Sequence, residues 1–186
     1  EYGEATAFAA DVSARRVVSA DVTADGINDV VAYAPAGTVL WVVPGSASGV
    51  FGEVRATSVP DGIRSIAVGG LAGSGGIDIA VASERTPAVV LLRNRDDRSG
   101  FDATVTALPS RALSIGVVKF DTDNSADLVV GLENRSVVGL QAVDGGFAMT
   151  VTRELEFSPD LMTTADFNGD GWADALVIDL NFRMDT

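Results

Sequence analysis

The chain has 186 residues, 47% of them hydrophobic, which is enough for a sizeable core or an array of small units. Its formal net charge of −13 argues against nucleic acid or an anionic membrane surface as a partner, because both would repel it. With no Cys and no His, it can hold no disulfide, no thiolate or imidazole zinc site, and no Ser–His–Asp or Cys–His catalytic arrangement. No apolar run is long enough for a membrane-spanning helix, so no direct membrane insertion is expected. The start, Glu1-Tyr2-Gly3, lacks a signal-peptide pattern, and a processed secreted chain would look the same.

Taken in chain order, the apolar runs are short, rich in β-branched residues and bounded by Gly, Pro, Asp and Asn. This pattern predicts strands and turns, not helices. The first strands are predicted near 16–20, 29–34, 38–43 and 53–59. Between the first two lies Asp21-Val22-Thr23-Ala24-Asp25-Gly26-Ile27-Asn28-Asp29, with oxygen side chains at loop positions 1, 3, 5 and 9 and glycine at 6. Hard cations such as Ca²⁺ take roughly six to eight oxygens at about 2.3–2.6 Å, and alternate residues of a tight loop can aim them inward. The expected ligands are Asp21, Thr23, Asp25, the Ile27 carbonyl and Asp29. Three carboxylates this close repel one another without a counter-ion, which makes a metal the economical reading over a bare Asx-rich turn.

The second group of strands is predicted near 64–69, 78–82, 88–93 and 103–108. Its loop, Gly70 to Asp78, has no side-chain oxygen at positions 1 and 3 and is expected to bind nothing. The third group falls near 113–118, 128–132, 136–141 and 149–155, with Lys119 at position 1 of a loop carrying Asp121, Asp123, Ser125 and Asp127. Lysine in the first ligand position is hostile to a divalent cation. The favoured expectation is that its ammonium lies among Asp121, Asp123 and Asp127 in place of a metal; the alternative is a shifted Ca²⁺ site with Lys119 swung out. Asn124 replaces the loop glycine and is expected to take the left-handed conformation. Two strands are predicted near 161–165 and 175–179, and between them the loop is complete: Asp166, Asn168, Asp170, the Trp172 carbonyl and Asp174.

These loops are copies. Asp29, Asp78, Asp127 and Asp174 recur at spacings of 49, 49 and 47, and Tyr2, Phe51, Phe101 and Phe147, each beside glycine, at 49, 50 and 46. Four strands per repeat of this length describe a β-propeller blade, whose sheet is covered on both faces by its neighbours. The expected fold is therefore all-β, with blades of four antiparallel strands and about 3.5 blades present. The expected divisions are an outer strand of a preceding blade (1–12), three blades (13–60, 61–109 and 110–157) and an incomplete blade (158–186). A larger propeller is expected, with further blades on other sequence or another chain. The four repeated aromatics, with Trp41 and Trp172, are expected to be packing wedges.

The Asp-x-Asn-x-Asp-Gly-x-x-Asp loop between the first two strands, with the Gly/Phe turn before the outer strand, resembles the FG-GAP or VCBS-type repeat of integrin α-subunit propellers. The resemblance implies a calcium-binding propeller, with about two structural Ca²⁺ sites and the third loop open, serving adhesion, ligand binding or scaffolding outside the cell. An EF-hand is disfavoured because it needs a carboxylate at position 12, where this chain has Ala32 and Val177. No acid pair stands outside the loops to run a glycosidase, so no catalytic residue and no enzyme activity is expected. The competing readings are a carbohydrate-binding propeller of lectin type and an accessory domain of a secreted enzyme; partners would be a protein or glycan ligand. Asn134-Arg135-Ser136 is an N-glycosylation sequon in a predicted turn.

Overall fold

The computed structural model describes residues 13–71 and 76–180. Expectations for 1–12 with Tyr2, for 72–75 and for 181–186 lie outside the described residues. Fourteen strands run in order among the described residues: β1 Arg16–Ala20, β2 Asp29–Tyr33, β3 Val39–Val43, β4 Arg55–Ser58, β5 Ile63–Gly69, β6 Asp78–Ser83, β7 Ala88–Asn94, β8 Phe101–Ala107, β9 Ala112–Val118, β10 Asp127–Leu132, β11 Ser136–Val143, β12 Gly146–Glu154, β13 Leu161–Ala165 and β14 Asp174–Ile178. They form three four-stranded antiparallel sheets, β1–β4, β5–β8 and β9–β12, and a two-stranded sheet of β13 and β14. The first strand of each sheet meets the first strand of the next: β1 touches β5, β5 packs on β9, and β9 packs on β13. That is the arrangement of blades fanned around an axis.

All strand ends but the start of β12 lie within two residues of the sequence expectation. The clearest differences have local causes. β12 begins at Gly146 because the short turn at Asp144-Gly145 lets Val143 pair with Gly146. β8 likewise begins at Phe101, paired with Asn94. β4 is shorter than expected because residues 44–54 are looped out, and pairing resumes only at Arg55 with Val42.

The middle sheet shows why its strands read as continuous apolar runs. Ile79 and Val81 of β6, with Val90 and Leu92 of β7, join a cluster with Val31, Leu40 and Val42 of the first blade. The alternate residues, Ala80, Ala82, Val89 and Leu91, join a second cluster with Leu128, Val130, Val138 and Leu140 of the third. Period-two alternation here sorts side chains between two dry faces, not between core and water. Between the third and fourth sheets, a Cβ on Gly116 would meet Thr164 Cγ2 at 2.5 Å and Met162 Sδ at 3.3 Å. The glycine permits that close approach.

The aromatic positions divide. Phe147 is buried in one cluster and Phe101 packs against the other. Phe51 is 37% exposed, which corrects its reading as a wedge: it sits in the looped-out segment, ahead of the strand that would have carried it inward. Trp41 is half-buried on β3, whereas Trp172 is 43% exposed and packs no core.

Burial on both faces makes the middle blade intolerant in both directions. Ile79→Ala should lower the unfolding free energy by about 2–5 kcal/mol, and Ala80→Leu on the opposite face by about 1–3 kcal/mol, measured by urea denaturation. A neutral Ala80→Leu would mean that this face is not packed against the third blade.

Candidate metal centre

Each loop joins the first two strands of a sheet and closes on an aspartate at the start of the second strand. In the first, Asp29 is fully buried; its Oδ2 accepts the Thr23 N–H at 2.8 Å and its Oδ1 the Gly45 N–H at 2.9 Å. Thr23 Oγ1 donates a longer bond to Asp29 Oδ1, 3.4 Å. In the third, Asp127 Oδ2 accepts the Phe120 N–H at 2.5 Å and Oδ1 the Ala142 N–H at 2.8 Å. In the second, buried Asp78 accepts the Asn94 N–H at 2.8 Å, and in the fourth Asp174 accepts the Phe167 N–H at 3.0 Å. The ninth-position carboxylate thus accepts a main-chain N–H in every loop, and in the first and third it clips two amides together. In the first three sheets one of those amides lies at or beside the end of the third strand. That aspartate is kept in the second loop, where the acids at the other positions are gone.

The remaining donors of the first and fourth loops share one geometry. Asp21 accepts the N–H groups of Asp25 (3.0 Å) and Gly26 (2.9 Å). Asp166 accepts those of Gly169 (2.7 Å), Asp170 (3.1 Å) and Gly171 (2.9 Å). Asp25 and Asp170 accept the N–H of Ile27 and Trp172, each at 2.9 Å. Asn168 Oδ1 accepts the Asp170 N–H at 2.8 Å, and its Nδ2 donates to Asp170 Oδ2 at 2.9 Å. Loop positions 4 and 6 are left-handed in both: Ala24 (φ 58) with Gly26 (φ 85), and Gly169 (φ 80) with Gly171 (φ 89). Position 6 is glycine for its dihedral alone, since no heavy atom lies within 4 Å of where a Cβ would stand. These N–H groups, Gly171's foremost, hold the Asp166 carboxyl below its ordinary value.

Among the described residues no group of three Asp or Glu carboxylates converges as a ready-made ion site. The rest of the donor set suits a hard cation: Asp21, Thr23, Asp25 and the Ile27 carbonyl in one loop, and Asp166, Asn168, Asp170 and the Trp172 carbonyl in the other. All are oxygens at alternate positions of a preformed turn. A carboxylate oxygen that accepts one N–H keeps a second lone pair for a metal.

The third loop takes a different path. Asn124 is not left-handed, contrary to expectation, and no residue from 119 to 127 is. Asp121 Oδ1 accepts the Asp123 N–H at 2.9 Å and Oδ2 the Gln141 Nε2–H at 2.6 Å, while Asp123 accepts the Ser125 N–H at 2.7 Å. Consecutive Asx turns replace the left-handed residues. Lys119 folds back so that its Nζ donates to the main-chain carbonyl of Asp123 at 2.8 Å, while Asp127 faces inward as the clip. The Asp123 N–H, then Gln141, and more weakly Lys119, hold the Asp121 carboxyl low.

Two positioning residues had little sequence signal. Asn94, where the first sheet has Gly45, donates through Nδ2 to the carbonyls of Val22 (2.7 Å) and Ile77 (3.2 Å), stapling the first loop to the second. Gln141 was visible only as one polar residue in an apolar strand. At the sequon, exposed Asn134 has its Oδ1 bonded by Ser136 Oγ at 2.8 Å, and Arg135 is left-handed at φ 60.

No protein-family model matches the chain, and no curated protein matches it. Among solved structures it is similar to the BBS1N chain in a crystal structure of BBS1N in complex with ARL6DN, soaked with lead. The TM-score is 0.60 over 87% of this chain, at 17% identity. The chain spans 47% of that chain's length. BBS1N is a β-propeller, so the likeness, with three four-stranded sheets, shows a propeller-like all-β fold.

Asp78→Ala should cost about 1–3 kcal/mol by orphaning a buried main-chain amide. Urea unfolding should give the same loss in calcium and in EDTA; a loss confined to calcium would assign Asp78 to a metal. In metal-free protein the Asp166 carboxyl should titrate, by NMR, below its ordinary value of 3.8. A depressed folded-state value stabilises the loop above the unfolded value and stops doing so as pH falls through the folded one.

Proposed function

We propose that the chain is a non-enzymatic, extracellular calcium-binding β-propeller module of the FG-GAP or VCBS kind, used for ligand binding, adhesion or scaffolding. The observation that carries the calcium reading is the common backbone of the first and fourth loops. Distant in sequence and different in composition, they place left-handed residues at the same two positions and wrap the first aspartate in loop amides. A bound Ca²⁺ would supply positive charge where Asp21 and Asp25, or Asp166 and Asp170, crowd together in a chain of net charge −13. It would brace the first two strands of a blade in a protein that has no disulfides. The chain's own residues supply the rest: Asp29 and Asp174 hold the loop closed, and the Ile27 and Trp172 carbonyls complete the oxygen set.

Extracellular modules hold Ca²⁺ at about 10⁻⁴–10⁻³ M, which suits calcium-rich surroundings outside the cell. The partner reading follows the fold. Propellers present loops at blade ends for binding, and the similar BBS1N chain was crystallised with another protein, so a protein ligand is the first choice. A glycan ligand is favoured by one observation: Trp172 and Phe167 of the fourth loop are 43% and 58% exposed, side by side with the candidate ion site.

Calcium at 100 times its dissociation constant should stabilise a one-site module by about 2.7 kcal/mol, raising the melting midpoint by several degrees over EDTA. Terbium emission sensitised by Trp172 should report the fourth loop and vanish in Asp166→Asn. An EDTA-insensitive midpoint together with absent terbium emission would reject the calcium reading. A glycan array compared with Trp172→Ala would separate sugar from protein ligands.

A further inference from the structure

We propose that the corner between the outer half of the third sheet and the free edge of β14 docks a β-hairpin of a partner protein. This surface rests on the ligand-binding reading above and gives it a place; calcium plays no part in it. The molecule twice shows what belongs at such a corner. In the second blade, Val90 and Leu92 of β7 share a cluster with Val31, Leu40 and Val42 of the first sheet, and Phe101 of β8 packs against it. Asn94, at the end of β7, donates to the Val22 carbonyl of the first loop at 2.7 Å. In the third blade, Val138 and Leu140 of β11 and Phe147 of β12 share a cluster with Leu71, Val89 and Leu91 of the second. The second residue of each covered loop is buried with it: Val22 is 4% exposed and Leu71 0%. Phe120, in the same place in the third loop, is 45% exposed.

The third sheet is covered only along its inner half. Gly116 of β9, Val129 of β10, Gly139 of β11 and Val151 of β12 are cross-strand neighbours in one row, so their side-chain positions share one face. At the inner end of the row, Thr164 and Met162 of β13 close over Gly116. At the outer end Val151 is 46% exposed. The Phe120 ring lies on the same face, since a Cβ on Gly139 would stand 2.9 Å from its Cε2 and Cζ. The interface that β13 makes with the third sheet thus continues outward as bare apolar surface. Among the described residues β14 pairs with β13 alone. Its sequence, Asp174-Ala175-Leu176-Val177-Ile178, carries no lysine, no proline and no bulge, the devices that keep an edge strand from pairing. Ala175 and Val177 pair with Thr164 and Met162, so they point toward the third sheet. A strand added outside β14, with apolar residues in that same row, reaches Phe120 and Val151. Main-chain bonds to the edge would supply affinity, and the apolar row the choice of partner. The fitting segment has apolar residues at every second position, as Val90 and Leu92 stand in β7 and Val138 and Leu140 in β11.

The probe is a synthetic hairpin of residues 134–155, which spans β11 and β12, added to the full chain and followed by fluorescence anisotropy. Saturable binding is expected, weakened at least about tenfold by Val151→Asp in the protein or by Leu140→Ser in the hairpin. Val151 is exposed, so Val151→Asp should melt with the wild type. Alternate amides of 174–178, those turned away from β13, should exchange fast in the free chain and slowly once the hairpin is added. No binding, or binding indifferent to both substitutions, would overturn the proposal. So would edge amides already protected in the free chain, which would mean that residues 181–186 fill the edge. Self-association in light scattering that Val151→Asp abolishes would assign the corner to a second copy instead. Binding lost in Trp172→Ala but kept in Val151→Asp would move the ligand to the fourth loop, overturning this surface and leaving the ligand-binding reading intact.

Discussion

Each of the three four-stranded sheets carries a carboxylate turned inward at the start of its second strand. Asp29, Asp78 and Asp127 are almost fully buried, and each accepts a main-chain N–H from the end of the third strand or just beyond it. A charged acceptor on a buried amide is among the stronger hydrogen bonds a fold can make, and leaving such an amide unpaired costs more than the bond contributes net. One side chain thus ties the loop between the first two strands to the far end of the third. With that tie in place, the rest of the loop is free to vary in chemistry.

The variation observed has that character. Two loops keep alternating oxygens and left-handed turns, one runs through Asx turns with a lysine folded in, and one has glycine at four of its nine positions. Their outer residues differ in charge, yet the strands they join keep the same order and pairing in all four sheets. Stability of the blade and chemistry of the loop are therefore separable. A loop can lose its acids, or fold a lysine onto its own main-chain carbonyl, without unmaking the sheet beneath it.

Blade-to-blade packing supplies the second constraint. The middle sheet has no solvent face on its two central strands, so alternation there selects which neighbour a side chain meets. Ile79 and Val81 go one way, and Ala80 and Ala82 the other. Small residues on one face and large ones on the other let successive sheets nest at a shared axis, and Gly116 brings the third and fourth sheets close. Polar staples such as Asn94 cross the same boundary and fix neighbouring loops in register.

The sequence by itself determined the period, the strand count per blade and the order of strands. Apolar periodicity and turn residues are local signals, and repetition averaged out their noise. It also marked which loops retain an oxygen-rich pattern. Only the tertiary structure decided where the side chains point. Asp29 stands in the loop's ninth position in one dimension, but one of its hydrogen-bond partners, the Gly45 N–H, lies across the blade, and spacing within the loop carries no record of it. Phe51 is exposed because its strand starts late, and Trp172 because nothing described packs over its loop. Arg98 reaches over Gly76, and so joins a turn at one end of the second blade to a loop 22 residues earlier. Contacts of that kind come from sheet register, which is set by burial of whole faces, not by the residues that afterwards find themselves adjacent.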